Sequence, residues 1–195
     1  MAEAARRKAT YQDVLRVPDH QVAELVDGEL VVSPRPAPPH ALASSVLGSD
    51  LVGRFHRGGG GVPGGWWILD EPELHLGEDV LVPDLAGWRR ERMPKLPRSA
   101  FFELAPDWVC EIVSPRSARH DRVSKANLYA REGVAWLWLL DPLARTLEVF
   151  RLEQGQWVRI AAHAGSERVR AAPFDAAELE IGSWWVEEAE GEEQG

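Results

Sequence analysis

The stretch that decides the fold is WVCEIVSPRSARHDRVSKANLYAREGVAWLWLL, residues 108–140. It opens as a short strand in which Trp108, Cys110 and Ile112 point to one side and Val109, Glu111 and Val113 to the other. It closes with VAWLWLL (134–140), uniformly apolar, as a central parallel strand covered on both faces has to be. Between them, Ser114-Pro115 leads into a helix that runs to Arg131 and is stopped by Gly133 in the C′ position. Residues 108–140 therefore predict a strand–helix–strand crossover, right-handed by the general rule. Glu111 alone interrupts the apolar first strand, and a carboxylate there is costly without a counter-charge.

Elementary geometry supplies one. From Glu111 to the strand end at Ser114 is three residues, roughly 10 Å at strand rise. A helix starting near Ser117 places Lys125 eight residues in, about 12 Å at helical rise. Because the helix returns along the strand, Lys125 comes level with Glu111. The chain carries 19 arginines and three lysines (Lys8, Lys95, Lys125), so the choice of a compact, titratable cation at this place stands out. Asp121, four residues before Lys125, offers the plainer reading of an ordinary ion pair on a helix surface.

Working outward, a second acid stands in VLVPDLAGW (80–88), where Asp84 follows Pro83. Alone, Pro-Asp is also an ordinary turn dipeptide. Paired strand carboxylates that meet in space, however, make a hard-cation site for Mg²⁺, with waters and substrate phosphate filling the remaining positions. WWILD (66–70) and ELHL (73–76) are further strands, and RGGGGVPGG (57–65) is a loop without the Lys-Ser/Thr of a phosphate cradle. Earlier, Thr10 caps a short helix ended by Pro18, and VAELV and ELVVS flank Asp27-Gly28, a strong hairpin signal. His40 to Phe55 has helical apolar spacing. TLEVFRL and QWVRIAAH, joined at Gln154-Gly155, form a last hairpin, and segment 89–106 is irregular.

The 195 residues suffice for one domain with a substantial core. No apolar run spans a membrane and no charged-then-apolar leader is visible, and the single cysteine, Cys110, reads as core in a reduced compartment; a cytoplasmic protein is expected. The net charge of −9 disfavours strong independent binding to a polyanion. Two local segments run the other way: residues 89–98 contain Arg89, Arg90 and Arg92, and residues 116–131 contain Arg116, Arg119 and Arg122. His75 and His120 have no ligand-spaced partners. Most of the nine tryptophans read as core packing.

Pro83-Asp84, a glutamate on the next strand and a nearby lysine resemble the PD-(D/E)XK nuclease superfamily, the restriction-endonuclease-like fold. More closely, ELVDGELVVSPRPAPPH, VLVPDLAGW, CEIVSPRSARHDRVSKANLYAREGV and WLLDP are similar to a large bacterial family of restriction endonucleases of unknown function, across roughly residues 10–185. The resemblance implies a metal-dependent phosphodiesterase in which Asp84 and Glu111 ligate Mg²⁺, with Mn²⁺ as substitute, and Lys125 holds or activates the attacking water. It also marks Glu24 as a further acid, His40 before the first long helix, and Asp121 and Tyr129 on the Lys125 face. The chain departs from the usual motif at Val113, where the superfamily's lysine stands two residues after the glutamate. It departs again at Trp136-Leu137-Trp138, where family members often read Glu-Tyr-Trp.

The expected fold is thus α/β (α+β mixed sheet): a restriction-endonuclease-like core with a central mixed sheet flanked by helices and with N-terminal and C-terminal hairpins. Residues 1–9 are expected to be disordered, 10–186 to form one domain and 187–195 an acidic tail. The expected function is Mg²⁺-dependent DNA cleavage with the six arginines on the backbone, in a homodimer or higher homo-oligomer. The competing readings are a non-catalytic interaction module that keeps the fold, and a nuclease for RNA or a small substrate.

Overall fold

In a computed structural model of the chain, residues 7–58, 61 and 64–186 are described; the expected acidic tail, the first six residues and part of the glycine loop lie outside them. Helix α1 (Tyr11–Val14) begins with the Asp13 carboxylate accepting from the Thr10 amide at 2.8 Å and its hydroxyl at 3.0 Å. Residues 7–9 run beside the first hairpin, where Ala9 N–H donates to the Gly28 carbonyl at 2.8 Å. That hairpin joins β1 (Gln21–Val26) to β2 (Glu29–Pro34), with Asp27 and Gly28 at φ of 50° and 80°, the left-handed pair a two-residue turn requires.

Helix α2 (Pro38–Leu51) follows, starts with prolines that need no amide partner, and continues into a wider π-helical turn, Val52–His56. Strands β3 (Trp66–Asp70), β4 (Leu74–Leu76), β5 (Asp79–Leu81) and β6 (Leu85–Arg89) come next. The segment 80–88, read as one strand, is two. Pro83 has no amide to give a ladder, and the chain leaves one sheet at Leu81 and enters another at Leu85. Asp84 stands at that crossing.

The strand–helix–strand order follows as read, except that the helix opens with a π-helical turn: β7 (Trp108–Ile112), the turn His120–Lys125 continuing into α3 (Ala126–Arg131), and β8 (Trp136–Asp141) parallel to β7. Strands β9 (Thr146–Glu153) and β10 (Gln156–Ala164) add an antiparallel hairpin, and β11 (Arg168–Val169) with β12 (Leu179–Glu180) and a 3₁₀ turn, Ile181–Trp184, completes the described chain. The central sheet has order β10-β9-β8-β7-β6-β3, mixed through its one parallel pair; a smaller sheet has order β2-β1-β5-β4. The N-terminal hairpin thus belongs to the smaller sheet, while the C-terminal hairpin extends the central one.

Strand alternation sorts the core into two layers. Trp108, Cys110 and Ile112 pack with Leu47 and Leu51 of α2 and with Phe174. Val109 and Val113 pack on the other side with Leu128 and Tyr129 of α3 and with Leu74 and Leu81 of the smaller sheet. Glu111 therefore lies between α3 and the smaller sheet, at 2% exposure.

Candidate active site

The antiparallel register of β6 and β7 pairs Leu85 with Cys110. One step further along, Asp84 and Glu111 are the next residues on the two strands, and both turn away from the face that holds Leu85 and Cys110. The contact is made through the main chain: Asp84 Oδ2 accepts the Ile112 amide at 2.6 Å. His40, in the first turn of α2, reaches the other oxygen, with Nε2 at 3.1 Å from Oδ1.

Lys125 arrives where helix geometry places it. Its Nζ lies 2.8 Å from Glu111 Oε1 and 3.0 Å from Oε2, and Tyr129, one turn later, donates its hydroxyl to Oε1 at 2.5 Å. The same ammonium meets Glu24 Oε1 at 2.9 Å and donates to the Val82 carbonyl at 3.0 Å. The Val82 amide in turn donates to Glu24 Oε1 at 2.8 Å, and His120 Nε2 lies 3.2 Å from Oε2. Three N–H groups thus meet two carboxylates and a carbonyl at a side-chain exposure of 3%, so the ammonium is fully paired. Glu24 sits in the cluster at 4% exposure rather than facing solvent.

The charges are uneven. Burial alone would lower the Lys125 pKa, but Glu111 and Glu24 outweigh it and hold the ammonium well above its ordinary value. For Glu24, burial works upward and is overcome by Lys125, His120 and the Val82 amide, leaving it at about 2. Glu111 goes the opposite way: burial pushes it well up, Lys125 offsets this only in part, and Asp121, Asp84 and Glu24 add to the rise. Asp121 is also raised, first by burial and then by Asp84. Burial would lower His40, but Asp84, Asp121 and Glu71 outweigh it and raise it. One lysine does not neutralise this many acids.

These groups line an open cleft of about 560 Å³. Glu24, His40, Asp84, Glu111, Asp121 and Lys125 all face it, and Tyr129 stands behind them against Glu111. The six arginines divide. Arg116 lines the cleft, Arg119 is exposed on the same segment, and Arg122 pairs with Glu148 at 2.5 Å. Arg89 and Arg90 lie over the rings of Trp66 and Trp67 at 4.6 and 3.8 Å, and Arg92 pairs with Asp107 at 2.9 Å. These three belong to the far end of β6, roughly 16 Å of strand from Asp84, and do not line the cleft.

Sequence reasoning missed His120, Arg35 and Glu71. His120 meets Glu24 across 96 positions, which no local spacing announces. Glu71 lines the cleft with its backbone at φ of 42°, a conformation costly for a residue with a side chain. Its amide donates to the Asp84 carbonyl at 3.1 Å.

The donor set suits a hard cation. Asp84 and Glu111 offer carboxylate oxygens, the donors such a cation takes. Among the described residues no three acidic, histidine or cysteine groups form a cluster able to enclose a metal by themselves. A two-carboxylate site completed by waters and phosphate is the arrangement Mg²⁺ favours.

A family model described as "Putative restriction endonuclease" matches residues 10–182, so the chain belongs to that family. Among solved structures, one described as "a putative nuclease" from Anabaena variabilis is similar, with a TM-score of 0.71 and 23% identity, over 90% of this chain and 98% of the other. At that identity the likeness establishes a shared fold. No curated protein matches. No helix of the described residues is long and apolar enough to cross a membrane.

Proposed function

We propose that the chain is a metal-dependent endonuclease that hydrolyses DNA phosphodiesters in the cleft. The observation that carries this is the Lys125 ammonium held between Glu24 and Glu111, with Asp84 fixed on the neighbouring strand by the Ile112 amide. Asp84 and Glu111 would hold Mg²⁺, or Mn²⁺ in its place. A bound cation would polarise a phosphoryl oxygen and lower the pKa of its water.

The chain's own residues do the rest. Lys125 stays an ammonium, so it orients water and carboxylates rather than taking a proton; a water at Nζ would replace the Val82 carbonyl. Tyr129 and Lys125 fix the Glu111 carboxylate from two sides. His40 orients Asp84 through Nε2. Arg116, on the cleft, and Arg119, exposed on the same segment, would take the phosphate backbone; Arg89, Arg90 and Arg92 would require a strand that extends well past the cleft.

Calorimetric titration with Mg²⁺ and Mn²⁺ should show a site that Asp84→Ala abolishes. Plasmid nicking should appear with Mn²⁺ and vanish in Glu111→Gln and Lys125→Ala, each first checked for folding by circular dichroism. Cleavage that persists in those variants would sink the assignment. Loss of cleavage together with an absent metal site in the wild type would favour a non-catalytic interaction module.

A further inference from the structure

A neighbouring cavity adjoins the cleft that holds the acid cluster. This second groove, of about 270 Å³, shares Val22, Arg35, Glu71 and Val82 with the cleft as lining, so the two lie side by side. At the junction stands Arg35, in the proline-rich connector that leads to His40. One of its nitrogens donates to the Asp19 carbonyl at 2.8 Å, which anchors the guanidinium, and another meets Glu71 Oε2 at 3.4 Å. Both side chains of that pair are substantially exposed, at 55% and 39%. A single long contact in water between such groups is weak and easily exchanged.

Arg35 is also singular by elimination. Of the lysines and arginines that line the cleft, Lys125 is spent on Glu24 and Glu111, and Arg116 lines the first cavity without the second. Among the described lysines and arginines, Arg35 is the one that lines both cavities. Its partner Glu71 is set in its left-handed backbone conformation with its amide on the Asp84 carbonyl, so the pair is tied to the chain segment that carries the acid site. A planar guanidinium takes a phosphate through two parallel hydrogen bonds, a better match than the one-point contact to Glu71.

We propose that Arg35 binds the phosphodiester adjacent to the scissile one, that Glu71 occupies the guanidinium while the cleft holds no strand, and that the substrate strand continues past Arg35 into the second groove. The substrate class is therefore a polymeric nucleic-acid strand, engaged beyond the scissile phosphodiester. This inference rests on the nuclease assignment, and Arg35 in it is a positioning residue.

The test uses the full chain and a short fluorescein-labelled DNA strand, single and as a duplex. Anisotropy is read across a salt series in chelator, and KM and kcat are read with Mn²⁺. Arg35→Ala should raise KM about 10-fold with kcat little changed and should flatten the slope of log K against log salt by about one phosphate contact. Arg35→Lys should restore the slope in part. Glu71→Gln should tighten binding about threefold, because the competing anion is gone while the backbone bond to Asp84 remains. Equal slopes for wild type and a folded Arg35→Ala, or weaker binding by Glu71→Gln, would overturn the inference and leave the nuclease assignment standing. A wild type that neither binds the strand nor cuts it with metal would overturn both.

Discussion

The two faces of β7 solve opposite problems with one run of five residues. On one side Trp108, Cys110 and Ile112 join an aromatic layer in which the Phe174 ring lies 4.8 Å from Phe55, 4.9 Å from Trp66, 5.0 Å from Trp108 and 5.6 Å from Trp138. That side gains by removing apolar surface from water, and each contact is non-directional. On the other side Glu111 is as deeply buried, yet its oxygens meet only Lys125 and Tyr129 in a ring of further acids. Taking those charges out of water costs several kcal/mol each, which the pairing only partly returns. One face is built for stability and the other keeps a costly charge in place, and that asymmetry separates scaffold from site.

Lys125→Met should break the polar face hardest. It leaves Glu24 and Glu111 buried without their cation and should cost about 3–5 kcal/mol in urea denaturation. Adding Glu24→Gln and Glu111→Gln to the same chain should recover most of that loss; failure to recover would mean that Lys125 acts through its packing. On the apolar face, Phe174→Ala should also cost about 3–5 kcal/mol through the cavity it leaves. It should leave the affinity for Mn²⁺ unchanged in the folded protein, and a change there would couple the two faces.

The smallest effect is expected at the surface. Burial would raise the Glu148 pKa, but Arg122 and Arg159 outweigh it and hold it below its ordinary value of 4.5. A folded-state pKa that is lowered contributes stability above the ordinary value, and that stability is lost as pH falls through the lowered one. Glu148→Gln should therefore cost under about 1 kcal/mol at neutral pH. The gap between variant and wild type should close in acid, which melting temperatures recorded across pH would check.

Much of the candidate site was legible because it follows from local geometry. Strand rise, helix rise and a single reversal at Ser114 place Lys125 beside Glu111, and two left-handed residues at Asp27-Gly28 make the hairpin. These depend on bond geometry over a few residues, so the chain specifies them without reference to the rest. The arginines of 89–92 show the limit. Their composition reads as a basic face, but stacking on Trp66 and Trp67 is settled by the pairing of β3 with β6.

By itself, then, the sequence determined the crossover, the burial of Glu111 and the lysine that answers it. Only the tertiary structure decided that Val80–Trp88 divides between two sheets at Pro83, so that Asp84 stands at their junction. It also decided that Glu24, 58 positions from Val82 and 96 from His120, closes the cluster, and that Arg35 and Glu71 line both the cleft and the groove beside it. The physical reason is the same in each case. Pairings between distant strands are selected by the packing of the whole chain, and no window of neighbouring residues contains both partners.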